Sequence, residues 1–122
     1  MSSTWAVEEG KAVWDGRRLD EWSKVLVADI VAEFDPVAVW LYGSVARGDD
    51  DGDSDIDLLV VLDSFVPSDS IELKLQAFRA ATTNAPFDVA FTDPPRYLER
   101  SRVAGTIERA TVLDGRCMYQ RD

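Results

Sequence analysis

The sequence predicts a small α/β (α+β) domain, one β-sheet with helices packed on it. Three observations carry that prediction. Amphipathic stretches of helical period alternate with short apolar runs rich in β-branched and aromatic residues. Their order is helix, strand, strand, helix, strand, helix. The chain has 122 residues, 46% of them hydrophobic, which argues for one core and one domain.

Residues 1–16 are the least regular part and are read as an N-terminal extension to a domain over 17–122. Trp5, Val7, Ala12, Val13 and Trp14 alternate with charges around Glu9-Gly10, as in a short hairpin or an irregular arm. The tryptophans are expected to cover core or to join a homo-oligomer contact, where aromatic residues are enriched. Over 19–34, Leu19, Trp22, Leu26, Ile30 and Phe34 form one apolar stripe, the mark of a helix packed on a core. Asp35-Pro36 ends it, because the residue before proline avoids the α region.

Val37–Tyr42 is apolar on both faces and reads as a buried strand. Gly43 to Ser54 is a loop with a short helix expected at Ser44–Arg47. Residues 55–62 read as the second strand, and Asp63–Asp69 as a loop. A second helix is predicted over Ser70–Thr82, with Asp69 and Glu72 spaced as a capping box and Ile71, Leu75 and Phe78 on one face. Asn84-Ala85-Pro86 breaks it. Phe87–Phe91 is a third strand, with Phe87, Val89 and Phe91 on one face and Asp88 and Ala90 on the other. Asp93-Pro94-Pro95 predicts an N-cap with proline in the first turn. The helix that follows is expected to reach Arg109, with a break at Gly105, before a short last strand at Thr111-Val112-Leu113.

The chemistry concentrates in Gly43-Ser44-Val45-Ala46-Arg47-Gly48 and Ser54-Asp55-Ile56-Asp57-Leu58. Alternate residues of a strand share a face, so Asp55 and Asp57 project together while Ile56, Leu58, Val60 and Leu62 point the other way. Two carboxylates beside a turn with free backbone N–H groups suit a divalent metal and a phosphate. Three other glycine-loop chemistries fail on named residues. A Walker A loop needs lysine and a hydroxyl after Gly48, where Asp49 and Asp50 stand. An EF-hand with Gly52 at its turn would begin at Arg47 and end at Leu58. The glycines do not fit a dinucleotide fingerprint.

Metal-assisted nucleotidyl transfer does fit. Asp88 interrupts an apolar strand able to lie beside the second one, which makes it the natural third carboxylate for a two-ion site. Gly43 lets the backbone approach a phosphate, Ser44 adds a hydroxyl, and Arg47 can reach a phosphate oxygen. Asp57 and Asp88 sit among apolar residues, where an unpaired carboxylate is costly. A metal or an arginine is therefore expected beside them. Other residues have plainer readings. Asp49–Asp51 and Asp53 are expected to be a solvated loop. Arg96, Arg100 and Arg102 read as a solvated helix face, Cys117 as an idle thiol, and Tyr42 as a packing residue.

Composition excludes other chemistries. Without histidine there is no Ser-His-Asp triad, Cys-His dyad or His-ligated zinc in this chain. A single cysteine forms no internal disulfide, and no apolar run approaches the ~18 residues of a membrane span. No secretory signal is visible at Met1-Ser2-Ser3, so a cytoplasmic setting is expected. The net charge is −10 with 13 Lys and Arg, which disfavours nucleic acid as the main partner.

Gly43-Ser44, ten residues, then Asp55-Ile56-Asp57 resembles the G-S-x10-D-x-D pattern of the DNA polymerase beta-like nucleotidyltransferase superfamily. The fuller runs are similar to its minimal nucleotidyltransferase branch over roughly residues 19–115. The resemblance implies a mixed sheet, Mg²⁺ (two ions) and transfer of a nucleoside monophosphate, often AMP from ATP, to a hydroxyl. Asp55 and Asp57 would bind metal. Asp88 would be the third metal-binding and catalytic carboxylate, and Gly43 and Ser44 would hold the triphosphate. Larger relatives carry a helical acceptor domain, and none is expected here. Minimal members often pair with an all-helical partner, a HEPN-type toxin, and act as the antitoxin that attaches AMP units to a tyrosine of that toxin. The alternatives are a non-catalytic antitoxin acting by contact, or an aminoglycoside-type nucleotidyltransferase for small molecules.

Overall fold

A computed structural model describes residues 5–8 (as backbone), 11–52 and 54–122. The expectations for Glu9-Gly10, for Asp53 and for the side chains of Trp5 and Val7 fall outside the described residues. Three short strands, β1 (Trp5–Glu8), β2 (Lys11–Trp14) and β3 (Arg17–Arg18), form a small antiparallel sheet. Helix α1 (Leu19–Phe34) follows at once. Its predicted stripe is the buried face: Leu19, Leu26 and Ile30 are fully buried, and Trp22 and Phe34 pack at the margin. Asp35 ends it in the left-handed region, with its N–H donating to Val31 O.

The main sheet has the order β6-β5-β4-β7. Strand β4 (Ala38–Tyr42) lies antiparallel to β5 (Ile56–Val61). On the far side of β5, β6 (Phe87–Thr92) runs parallel to it. On the far side of β4, β7 (Arg116–Gln120) runs antiparallel. The sheet is therefore mixed. Between β4 and β5 sits the five-residue helix α2 (Gly43–Arg47). Helix α3 (Ser70–Ala80), entered through a 3-10 turn at Pro67–Asp69, makes the crossover from β5 to the parallel β6. Helices α4 (Pro94–Arg100) and α5 (Ile107–Asp114) come between β6 and β7.

Alternation decides what each face of the sheet carries. One face presents Val39 and Leu41, Ile56, Leu58 and Val60, and Val89 and Phe91, which pack with Leu26, Ile30 and Ala77 as the core. Fully burying each large aliphatic side chain contributes about 1.5–3 kcal/mol. The other face presents Trp40, Tyr42, Asp57, Leu59, Asp88, Ala90 and Thr92. Helices α4 and α5 cover part of it, with Tyr97 stacked on Trp40 at 6.2 Å and Glu108 bonded to Thr92.

Four local expectations are corrected. Asp69 makes no side-chain cap bond, so the capping box at α3 does not form. Ile71, Leu75 and Phe78 are exposed, and α3 buries Ala77 instead. Thr111-Val112-Leu113 lies inside α5, which Thr106 caps by accepting from Arg109 N. The last strand is β7, further on. Among the described residues, no helix is long and apolar enough to cross a membrane.

Candidate active site

The site begins where β4 gives way to α2. Gly43 has φ +79°, a left-handed conformation that side chains resist. A β-carbon there would also collide with Oδ2 of Asp57. Glycine is thus required twice over, by the turn and by the carboxylate packed against it. Ser44 Oγ donates to Ser54 Oγ at 3.0 Å, and Ser54 in turn accepts from Asp51 N at 2.9 Å. The hydroxyl expected to face a phosphate instead fastens the helix to the acidic loop.

Register aligns the remaining groups. Tyr42 pairs with Asp57 across β4 and β5, and Asp57 pairs with Asp88 across β5 and β6. The three side chains stand in one row on the face opposite the core, with neighbouring strands roughly 4.8 Å apart. Asp55 lies just before β5 and shares a hydrogen bond with Asp57. Asp57 is pushed up to about 7 by burial, then by the charge of Asp55 and the bond to it, then by Asp88, while Arg47 acts the other way. The Tyr42 hydroxyl is held well above the ordinary tyrosine range by burial and by the charges of Asp57, Asp88, Asp55 and Glu108. Asp55 and Asp57 are thus a hydrogen-bonded carboxylate pair in which burial and neighbouring negative charge make the ionised form of Asp57 costly.

Asp88 stands in the row but is turned outward. Its side chain is exposed, Oδ1 accepts from Val89 N at 3.0 Å, and Lys74 Nζ lies 3.8 Å away. Among the described residues no three acids converge closely enough to share an ion. The cation expected beside Asp88 is a lysine, supplied by α3. Arg47 is near enough to influence Asp57, yet its Nε donates to Asp49 Oδ2 at 3.2 Å. Asp50 is not part of a solvated loop: it is buried and accepts from Ala12 N at 3.0 Å, tying the loop to β2.

The site face extends beyond the row. Leu59 and Ala90, two residues past Asp57 and Asp88, floor a cleft of about 220 Å³ walled by Phe65, Lys74, Arg96 and Arg100. Arg100 Nε bonds both oxygens of buried Glu108, at 3.2 and 3.1 Å. The expectation that Arg96 and Arg100 form only a solvated helix face is therefore corrected, whereas Arg102 is exposed. Lys74 and Glu108 carried no signal in the sequence. The only clue to Tyr42 was its place before Gly43. All three depend on strand register and helix packing.

The donor set suits a divalent cation. Asp55 and Asp57 offer hard oxygens side by side, and the negative charge gathered around the half-buried Asp57 is what a divalent cation would offset.

Residues 25–114 match the model of the family described as the nucleotidyltransferase domain. The chain belongs to the nucleotidyltransferase domain family. The match takes in the glycine turn, all three aspartates and α5, and begins within α1. A presumed nucleotidyltransferase from Sulfolobus solfataricus is similar in structure, with TM-score 0.58 and 24% identity over 84% of this chain and 81% of that one. That likeness is one of fold. A toxin–antitoxin structure with AMP-PNP aligns at TM-score 0.49 and 21% identity, over 81% of this chain and 74% of that one. None of the curated proteins compared with this nucleotidyltransferase matches it.

Proposed function

We propose that this nucleotidyltransferase transfers a nucleoside monophosphate, AMP from ATP, to an acceptor hydroxyl with Mg²⁺. The observation that carries the reading is the Asp55–Asp57 pair, joined by a hydrogen bond, with Asp57 pressed against a turn that admits only glycine. Asp55 and Asp57 would hold the metal, with Asp88 as a third ligand. Bound magnesium would neutralise phosphate charge and favour the attack.

The chain's own groups supply the rest. Backbone N–H groups at Gly43 and Ser44 would receive the triphosphate, and Arg47 would exchange Asp49 for a phosphate oxygen. Asp88 would take the proton of the acceptor hydroxyl as its oxygen bonds to the α-phosphorus, and pyrophosphate leaves. The Tyr42 hydroxyl keeps its proton and can donate a hydrogen bond beside the pair.

The resemblance of the Gly-Ser and Asp-x-Asp runs to minimal nucleotidyltransferases supports a helical partner protein as acceptor, a cytoplasmic setting and an antitoxin role. Incubation with α-labelled ATP, Mg²⁺ and the neighbouring gene's product should label that product. Asp57→Asn should cut labelling by roughly a hundredfold or more, the scale of lost acid–base and charge stabilisation. Equal labelling by Asp57→Asn and wild type would sink the proposal. Neutralisation of the partner without any label would point to a contact antitoxin.

A further inference from the structure

In a chain of net charge −10, the cleft beside the row is lined by three cations, Lys74, Arg96 and Arg100, and one carboxylate, Glu108. It opens on the same sheet face as Asp57 and Asp88, two strand residues further on, or roughly 7 Å. Leu59 and Ala90 form an uncharged floor. Lys74 stands between the cleft and Asp88, reaching that carboxylate only at 3.8 Å. The Arg96 guanidinium lies 5.8 Å over the ring of Phe65 and has no carboxylate partner among the described residues. Arg100 uses Nε on Glu108, and its two terminal nitrogens make no hydrogen bond among the described residues.

Buried and half-buried cations ordinarily find a carboxylate or another acceptor. Here Glu108 is consumed by Thr92 and Arg100, and Lys74 is held only loosely. Donors remain on three side chains, two of them guanidinium forks suited to a tetrahedral oxyanion. The anion that would satisfy them sits about one sugar's length from the carboxylate proposed to receive the acceptor's proton.

We infer that this cleft is the acceptor's phosphate subsite: the accepted hydroxyl belongs to a group carrying a phosphate one sugar unit away, as in a nucleotide or a sugar phosphate, free or already attached to the partner protein. The inference rests on the proposed nucleotidyl transfer for its hydroxyl end, but its phosphate end stands on Lys74, Arg96 and Arg100 alone. The phosphate forms no covalent bond here. It orients the hydroxyl toward Asp88 and the carboxylate pair.

The test uses the full chain, ¹⁵N-labelled and free of metal, titrated with sodium phosphate and with sodium chloride at matched ionic strength. Saturable shifts at Lys74, Arg96 and Arg100 are expected with phosphate only. AMP and ribose 5-phosphate should move the same signals; adenosine and ribose should not. Arg96→Gln should weaken phosphate binding about tenfold, the scale of one charge-assisted hydrogen bond, while Arg96→Lys should stay within a few-fold of wild type. Lys74→Gln, on a different helix, should weaken it as well, so the test survives if one variant folds poorly. Equal shifts with chloride, or undiminished binding in both Gln variants, would overturn the inference. Transfer assays then compare AMP with adenosine and ribose 5-phosphate with ribose. Preference for both phosphorylated acceptors, lost in Arg96→Gln, supports a phosphate subsite, and preference for AMP alone narrows it to nucleotides. Equal use of adenosine and AMP overturns it. No transfer to any of these acceptors or to the partner protein would defeat the proposed activity, while the phosphate titration would still decide the subsite.

Discussion

Gly43 and Asp57 constrain each other, and the constraint can be measured. Alanine at 43 meets a left-handed backbone and a carboxylate oxygen in the space its β-carbon needs. Gly43→Ala should lower unfolding stability by about 1–3 kcal/mol, the usual cost of such strain, read from urea midpoints. In an Asp57→Ala background the collision is gone and only the backbone cost remains, so the two changes should combine less than additively. Strict additivity would mean that the contact is not what fixes glycine there. Asp57 gives a second expectation at this scale. Its folded-state value is about 7 against an ordinary 3.8. As pH rises between those values, the unfolded chain releases this proton while the folded chain keeps it. Stability of the metal-free protein should therefore fall from about pH 4 to about pH 7 and level off above. Asp57→Asn should remove that part of the slope, as checked by urea midpoints in chelator across the pH range. Mg²⁺ must displace the same proton, so its affinity should rise through this window and then flatten.

Elements were legible in the sequence to the extent that their own residues determined them. Helix α1 and strands β4, β5 and β6 carry a clear period or an unbroken apolar run, and their bounds fall within a residue or so of expectation. β7 carries neither. Arg116-Cys117-Met118-Tyr119-Gln120 becomes a strand because β4 has an open edge for it, a tertiary cause that propensity does not see. Thr111-Val112-Leu113 looked like a strand because of its β-branched residues, but the Thr106 cap commits the segment to α5. Caps show the same contrast. Both Asp69 and Asp93 precede helices with suitable spacing, yet only Asp93 accepts a cap bond, from Arg96 N at 3.0 Å. Its other oxygen accepts from Phe65 N at 3.1 Å, tying α4 to the loop after β5. Asp93→Ala should cost about 1–2 kcal/mol. Asp69→Ala, with no bond to lose, should stay within about 0.5 kcal/mol. Comparable losses in the two variants, measured by chemical denaturation, would contradict the capping geometry. At the candidate site the same limit held. The Gly-Ser and Asp-x-Asp runs were visible as local motifs. Lys74, Glu108 and the burial of Asp50 depend on contacts that no local pattern encodes.

Across the whole molecule, charge is distributed unevenly. The chain carries −10, and Asp55, Asp57 and Asp88 gather at the β5 and β6 ends beside Gly43. The cations closest to them are already engaged elsewhere or loosely placed: Arg47 bonds Asp49, and Lys74 stands 3.8 Å from Asp88. Two effects of added Mg²⁺ must then be separated. Any salt screens the general self-repulsion of an acidic chain. A specific site adds stability according to its occupancy, about 2.7 kcal/mol at a hundred times Kd. For a chain of this length that corresponds to a rise in Tm of roughly 10 °C. Thermal unfolding above pH 7, in Mg²⁺ against NaCl of equal ionic strength, should show the larger rise with Mg²⁺, and chelator should reverse it. Asp55→Asn and Asp57→Asn should each lose most of the difference, although each lowers the molecule's repulsion and would start from an equal or higher Tm in chelator. Asp49→Asn, which removes the same charge from the exposed loop, should keep the Mg²⁺ response. If Asp49→Asn and Asp57→Asn respond alike, the ion is acting on net charge and the carboxylate pair is not its site.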